Sequence, residues 1–297
     1  MDCMITEKNA KTIIERRNAE IHKGDCGRVL IAAGSEGMAG AAMLCGRGAL
    51  RAGAGLVRML VPKELFPILQ VGLMEATCLE RDLSKIDLGL FDAAALGPGL
   101  GGNEDSIDLV RTMLKTFEAP MVVDADGLNI IGKYGLFTEL RERREKGYET
   151  VITPHMGEAK RLLGEDAYNN AFALGRKELA LRLAEKTCAI TALKGAGTIV
   201  ATADGKAYTN TTGNPGMATG GSGDVLTGII ATFLGLCKDR QKNQDVNSIY
   251  LSATLAGVYI HGLAGDLGAD VIGQYGLMAG DIADYTALAI KKVLDES

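Results

Sequence analysis

From Arg28 onward, short runs of consecutive apolar residues alternate with longer stretches in which apolar positions recur every three or four residues. That alternation predicts a layered α/β fold. RVLIAAG (Arg28–Gly34), LVRMLVP (Leu56–Pro62), FDAAALG (Phe91–Gly97), MVVDAD (Met121–Asp126), TVITP (Thr150–Pro154) and CAITALKG (Cys188–Gly195) read as buried strands. Between them, the small-residue segment Ala39–Ala52 reads as a helix, and Ile107, Val110, Met113, Leu114 and Phe117 fall at helical spacing. A long helix is expected near Phe172–Lys186. Strand, helix and strand in succession imply a parallel crossover. In GTIVATADGKAYTN the Asp204-Gly205 pair between two alternating runs signals a β-hairpin. The last third, from Gly221, reads as mainly helical, and residues 1–22 as an added N-terminal helix.

No Pro-, Ser- or like-charge-rich stretch marks a linker and no internal repeat is visible, so one domain over 1–297 is expected, long enough to bury a sizeable core. The formal charge of −5 lacks the positive field of a sequence-independent nucleic-acid binder, and it disfavours an anionic membrane as a partner. The longest apolar stretch, Gly228–Cys237, falls well short of the roughly 20 residues that span a bilayer. The charged first twenty residues show no signal-peptide pattern. Six cysteines stand without a CxxC pair or a neighbouring histidine, so reduced thiols in a cytoplasmic protein are expected rather than zinc or disulfides.

Glycine carries the chemistry. Four clusters follow expected strands: AGSEGMAGAA (Ala33–Ala42), GPGLGG (Gly97–Gly102), KGAGT (Lys194–Thr198) and GNPGMATGGSGD (Gly213–Asp224). Backbone amides at a strand end or helix N-terminus bind anions. GPGLGG formally fits the dinucleotide-binding GxGxxG pattern, but Pro98 sits in the turn and at least two strands precede it, whereas a Rossmann loop follows the first strand of its unit. GNPGMATGGSGD has no GK[ST] and is not a Walker loop. Gly220-Gly221-Ser222-Gly223 before the apolar helical run VLTGIIATFLGL can make an anion hole for a transferring phosphoryl group, with Asp224 as the base for an attacking hydroxyl. The competing reading has Asp224 merely favouring the helix dipole. VVDADGLN offers Asp124, Asp126 and Asn129 to a hydrated Mg²⁺ or a ribose, or else to a turn and N-cap. In TPHMGEAKRLLG, His155 and Glu158 lie at another strand-to-helix turn, where a lone histidine is more often a structural hydrogen-bonder. His22 and His261 carry no supporting motif and read as structural.

The ordered set GSEGMAGAA, ALRAGAGLVR, ALGPGLG, VVDADGLN, TPHMGEAKRLLG, LKGAGTIVA and GNPGMATGGSGDVLTG resembles the ADP/ATP-dependent NAD(P)H-hydrate dehydratases from about Lys23 to the C-terminus. Met156 stands where that family usually has proline, and Gly127 where alanine is common. The resemblance implies a ribokinase-like three-layer α/β/α fold with a central, mostly parallel sheet. It implies that ADP or ATP, with Mg²⁺, drives dehydration of the S-epimer of hydrated NADH or NADPH, through phosphorylation of the C6 hydroxyl and loss of phosphate. The hydrated dinucleotide is then expected against Ala41 or Ala42, Gly99 or Gly101, Asp126, Asn129, His155 and Asp224. The adenine nucleotide is expected against Lys194, Gly195, Ala196, Gly197, Thr198 and Gly223, with Gly221, Ser222 and Gly223 stabilising the transferred group beside Asp224. A homo-oligomer, as a tetramer, is expected from the same resemblance. A vitamin or sugar-alcohol kinase of the same fold is the alternative, and a non-catalytic adenine-nucleotide sensor a further one, which has no use for a base at Asp224.

Overall fold

The computed structural model describes residues 3–238 and 246–295. Its strands are β1 (Cys3–Ile5), β2 (Arg28–Ala32), β3 (Leu56–Val61), β4 (Thr77–Glu80), β5 (Ala93–Leu96), β6 (Met121–Val123), β7 (Thr150–Ile152), β8 (Ile190–Leu193), β9 (Ile199–Ala201) and β10 (Ala207–Asn210). The helices are α1 (Glu7–Lys11), α2 (Ala39–Arg51), α3 (Phe66–Gly72), α4 (Glu104–Thr116), α5 (Asp126–Tyr134), α6 (Phe137–Glu145), α7 (Met156–Leu163), α8 (Glu165–Ala173), α9 (Arg176–Thr187), α10 (Ser222–Leu236), α11 (Val246–Ile272) and α12 (Ala279–Asp295).

All of the strands join one sheet, in the order β1-β10-β9-β8-β7-β6-β5-β2-β3-β4, parallel except where β9 meets β8 and β10. Helices cover both faces. Val29 and Ile31 of β2 pack with α2, α10, α11 and α12, while Leu30 and Ala32 turn to the other face with α4, α5, α6, α7 and α9. Burial on both faces explains why the strands were written as unbroken apolar runs rather than as alternations. This is the three-layer α/β/α architecture that the alternation predicts. The hairpin forms at Asp204-Gly205, with Gly205 at φ 88°, and the last third is helical as expected.

Two expectations are corrected. Residues 1–2 lie outside the described residues, and the rest of the expected N-terminal helix is first a strand: β1 adds to the sheet edge in parallel with β10, its Ile5 fully buried. Only α1 is helical, five residues opened by a Thr6–Asn9 capping box. So short a helix has little stability of its own, and the edge of a sheet offers more to the apolar Cys3-Met4-Ile5 run. The long helix expected near Phe172–Lys186 is interrupted. α8 ends at Ala173 and α9 begins at Arg176, because Gly175 takes φ 106°, a conformation no helix interior contains.

Candidate functional site

The chain runs outward from β2 through β3 to β4, then returns to place β5 on the opposite side of β2. Adjacent strands whose connections depart in opposite directions leave a crevice at their carboxyl ends, where α/β sheets bind ligands. The first two glycine clusters meet there. Gly34 N–H donates to the Pro98 carbonyl (2.8 Å) and the Ser35 hydroxyl to the Gly99 carbonyl (2.8 Å). Gly97, at φ 128°, must be glycine, since a Cβ would run into the Asp124 carbonyl. The two loops also bring Ala41 against Gly99, where an added Cβ would lie 2.9 Å from the Ala41 methyl. Ala42 is fully buried in the core, so of the two alanines Ala41 is the one beside the crevice.

The third loop follows β6. Gly101 N–H donates to Asp126 Oδ2 (2.8 Å), Asn129 Nδ2 to Asp126 Oδ1 (3.3 Å), and the Arg161 guanidinium to Asn129 Oδ1 (3.1 Å). Asp126 and Asn129 thereby tie the GPGLGG loop to α5 and α7. The residue between the aspartates, Ala125, holds φ 49° and ψ −120°, a strained turn for a side chain with a Cβ. Asp124 is 1% exposed and both its oxygens are taken: Lys194 Nζ lies 2.5 Å from Oδ1, and the Thr227 hydroxyl donates to Oδ2 at 2.8 Å. Among the described residues no group of three His, Cys, Asp or Glu side chains is placed to hold a metal ion.

The fourth cluster opens α10. Gly221 sits in the left-handed region (φ 91°, ψ −12°), and the helix starts at Ser222, leaving its first N–H groups without helical partners. Asp224 lies in that first turn. Burial, then the charge of Asp124, pushes its carboxyl up to about 7, against the opposing pull of Lys194. An aspartate that titrates near neutrality is matched to proton acceptance at physiological pH. His261, on α11, is held by burial at about 4 and is neutral, so its Nε2–H donates to the Ser222 carbonyl at 2.9 Å. Sequence reasoning left His261 aside, and its helical surroundings gave no signal. Thr227, three residues beyond Asp224 and four beyond Gly223, lies on the same side of the helix one turn on, a spacing that was readable.

A cavity of about 550 Å³ runs between this helix mouth and β8. Lys194, Gly195, Ala196, Gly197, Thr198 and Gly223 all line it, with Asn210 and Thr212 from the hairpin end on its rim. His155 is in the same wall. Its Nδ1 accepts from Gly157 N–H (2.9 Å) and Glu158 N–H (3.3 Å), while Glu158 Oε2 accepts from the His155 N–H (2.8 Å). This capping box requires an unprotonated Nδ1, and burial with nearby Lys194 lowers the histidine's proton affinity accordingly. A larger cavity, about 930 Å³, includes Ser35–Gly37 and Arg81 but none of the side chains expected at the site.

Residues 29–287 match the family described as NAD(P)H-hydrate dehydratase. The bifunctional NAD(P)H-hydrate repair enzyme of Thermofilum pendens is 38% identical over 307 aligned positions, covering 98% of this chain and 55% of that protein. The chain thus spans about half the length of the bifunctional relatives. The ADP-dependent (S)-NAD(P)H-hydrate dehydratase of Bacillus subtilis is 33% identical, with 94% of each chain covered. A crystal structure of the ADP/ATP-dependent enzyme from that organism, co-crystallised with ATP/Mg²⁺, aligns with a TM-score of 0.81 at 30% identity, covering 98% of this chain and 99% of that one. An Enterococcus faecalis ribokinase-like superfamily protein, 24% identical with a TM-score of 0.80 and 98% and 96% of the two chains covered, shares the fold.

Proposed function

Because the chain belongs to the NAD(P)H-hydrate dehydratase family, we propose that it restores NADH or NADPH from the S-epimer of the hydrated cofactor, with ADP or ATP as phosphoryl donor. The observation that carries this reading is Asp224: a carboxylate poised near neutrality in the first turn of α10, beside a cavity walled by the nucleotide-type glycine loop. Hydroxide is a poor leaving group. Asp224 takes the proton of the C6 hydroxyl as its oxygen attacks the terminal phosphorus, and the amides of Gly221, Ser222 and Gly223 hold the negative charge that builds on the transferred group. The donor's remaining phosphates leave as AMP or ADP. The ring nitrogen's lone pair then expels phosphate from C6, and loss of a proton from the adjacent carbon completes the double bond.

The adenine nucleotide occupies the cavity lined by Lys194–Thr198, and the hydrated ring enters from Ala41, Gly99 and His155. Asp126 and Asn129 support that side by holding Gly101. The Bacillus subtilis enzyme was co-crystallised with ATP/Mg²⁺, which supports a nucleotide-borne Mg²⁺ that would neutralise phosphate charge beside Lys194 and Gly223. The chain works as one domain in the cytoplasm, among its nucleotide substrates, and as a homo-oligomer. The exposed Ile68, Val71 and Met74 around α3 support that assembly.

Protein incubated with Mg²⁺, hydrated NADH and ADP or ATP should release one inorganic phosphate for each NADH formed. Phosphate retained on an alcohol acceptor, with no NADH, would make the site a kinase.

A further inference from the structure

Asp124 occupies a place that the proposed reaction does not use. It follows β6, is 1% exposed, and joins three elements: its own strand, the end of β8 through Lys194, and the second turn of α10 through Thr227. A buried ion pair is weak evidence for stability, because well-packed apolar groups of the same volume often do as well or better. Its location is more telling. Lys194 Nζ stands 3.0 Å from where a Cβ on Gly223 would be, and Asp124 Oδ2 3.5 Å from the same point, so the pair lies directly beside the amides that begin α10. Lys194 also comes within 3.9 Å of Glu158.

We propose that Asp124 is a positioning residue for phosphoryl transfer: clamped by Lys194 and Thr227, it holds the Lys194 ammonium at the mouth of α10 and presents a fixed negative charge to Asp224. This rests on the reading of Asp224 as the base. Five charged or titratable groups face Asp224 from the surrounding elements: Cys45 of α2, Asp124 at the end of β6, Asp126 of α5, Glu158 of α7 and Lys194 after β8. Lys194 alone opposes a high proton affinity on Asp224, and Asp124 is the strongest of the charges that favour it. With its cation occupied by Asp124, Asp224 stays basic enough to accept a proton from an alcohol. Without Asp124 the ammonium would turn its charge on Asp224 and weaken the base. The same clamp places a positive charge where the donor phosphates meet Gly223.

The test follows Asp224 directly, by infrared titration of its carboxyl as the difference between the wild-type protein and Asp224→Asn, alongside pH profiles of NADH formation. Asp124→Asn keeps the shape and removes the charge. It should lower the midpoint of Asp224 by about one pH unit and turnover on the upper plateau about tenfold, through the loosened cation. Thr227→Val should move both in the same direction by less, and Thr227→Ser, which keeps the hydroxyl, should restore wild-type values. Should Asp124→Asn fail to fold, the Thr227 pair carries the test alone. A midpoint and pH profile unmoved in every folded variant, with only the melting temperature lowered, would overturn the proposal. If the wild-type protein makes no NADH, the proposed reaction falls, while the infrared midpoints still decide the clamp.

Discussion

The smaller cavity, near 550 Å³, is walled by glycine backbone and by polar groups already committed to partners: Lys194 to Asp124, His261 to Ser222, His155 to its own helix start. The larger, near 930 Å³, is lined by charged side chains of both signs, among them Glu36, Lys63, Asp82 and Asp108. Arg81 leans on the Ala33 and Gly34 carbonyls there, with its buried Nε unpartnered. On the proposed reading, size does not mark the chemical site. Preorganised donors, a buried cation and a carboxylate with a raised proton affinity do, because they need no rearrangement when charge develops.

The largest expected effect is at the base. Asp224→Asn should cut turnover about 10²-fold or more while leaving nucleotide affinity near normal. The same variant should melt several degrees higher at pH 8. A carboxyl held at about 7 in the fold, against 3.8 in the open chain, makes stability fall as pH rises between those values, and asparagine removes that penalty. Turnover of the wild-type protein should for the same reason rise through about pH 7, with the base active above it, and a profile flat from pH 5 to 8 would take the role from Asp224.

Gly223→Val comes next. Its branched side chain would press on Lys194 and Asp124 and cover the helix amides, weakening nucleotide binding about tenfold or more by calorimetry. Unchanged affinity would dissolve the distinction between the two cavities. His155→Ala should cost about 1 kcal/mol through the lost cap of α7. It should also raise the KM for the hydrated cofactor more than that for the nucleotide, and equal rises would leave His155 purely structural. The smallest effect belongs to the larger cavity: Asp108→Ala, an exposed carboxylate paired with Arg111 at 3.4 Å, should change stability by less than about 0.5 kcal/mol. A tenfold loss of nucleotide affinity there would refute the comparison outright.

The layering was legible because the central strands are covered on both faces and so are written as apolar runs, and the glycine clusters because strand ends punctuate them. Lys194–Thr198 and Gly223 could be grouped from sequence, and the fold brings them into one cavity. What could not be read was pairing across distance. Nothing near Asp124 announces Lys194, seventy residues on, or Thr227, one hundred and three residues on. The same limit applies to the edge strand: three residues carry no periodicity, and only the partner β10 makes Cys3–Ile5 a strand. The spacing of Asp126 and Asn129 leaves a ligand role and a turn or N-cap role equally open, and it does not announce their bonds to Gly101, to one another and to Arg161.

That edge pairing has a consequence for synthesis. β1 is made well before its partner β10, which appears about 200 residues later, and at cellular translation rates that is a wait of roughly 10–40 s. During that interval Ile5, fully buried in the finished protein, has no sheet to enter and must remain soluble through the charged residues around it. Thr211, next to the rim residues Asn210 and Thr212, donates its hydroxyl to the Ile5 carbonyl (2.7 Å), so the returning β1 segment also braces the cavity wall. A nascent chain arrested before residue 207 should therefore leave its first strand open to proteases, and extension past residue 212 should protect it.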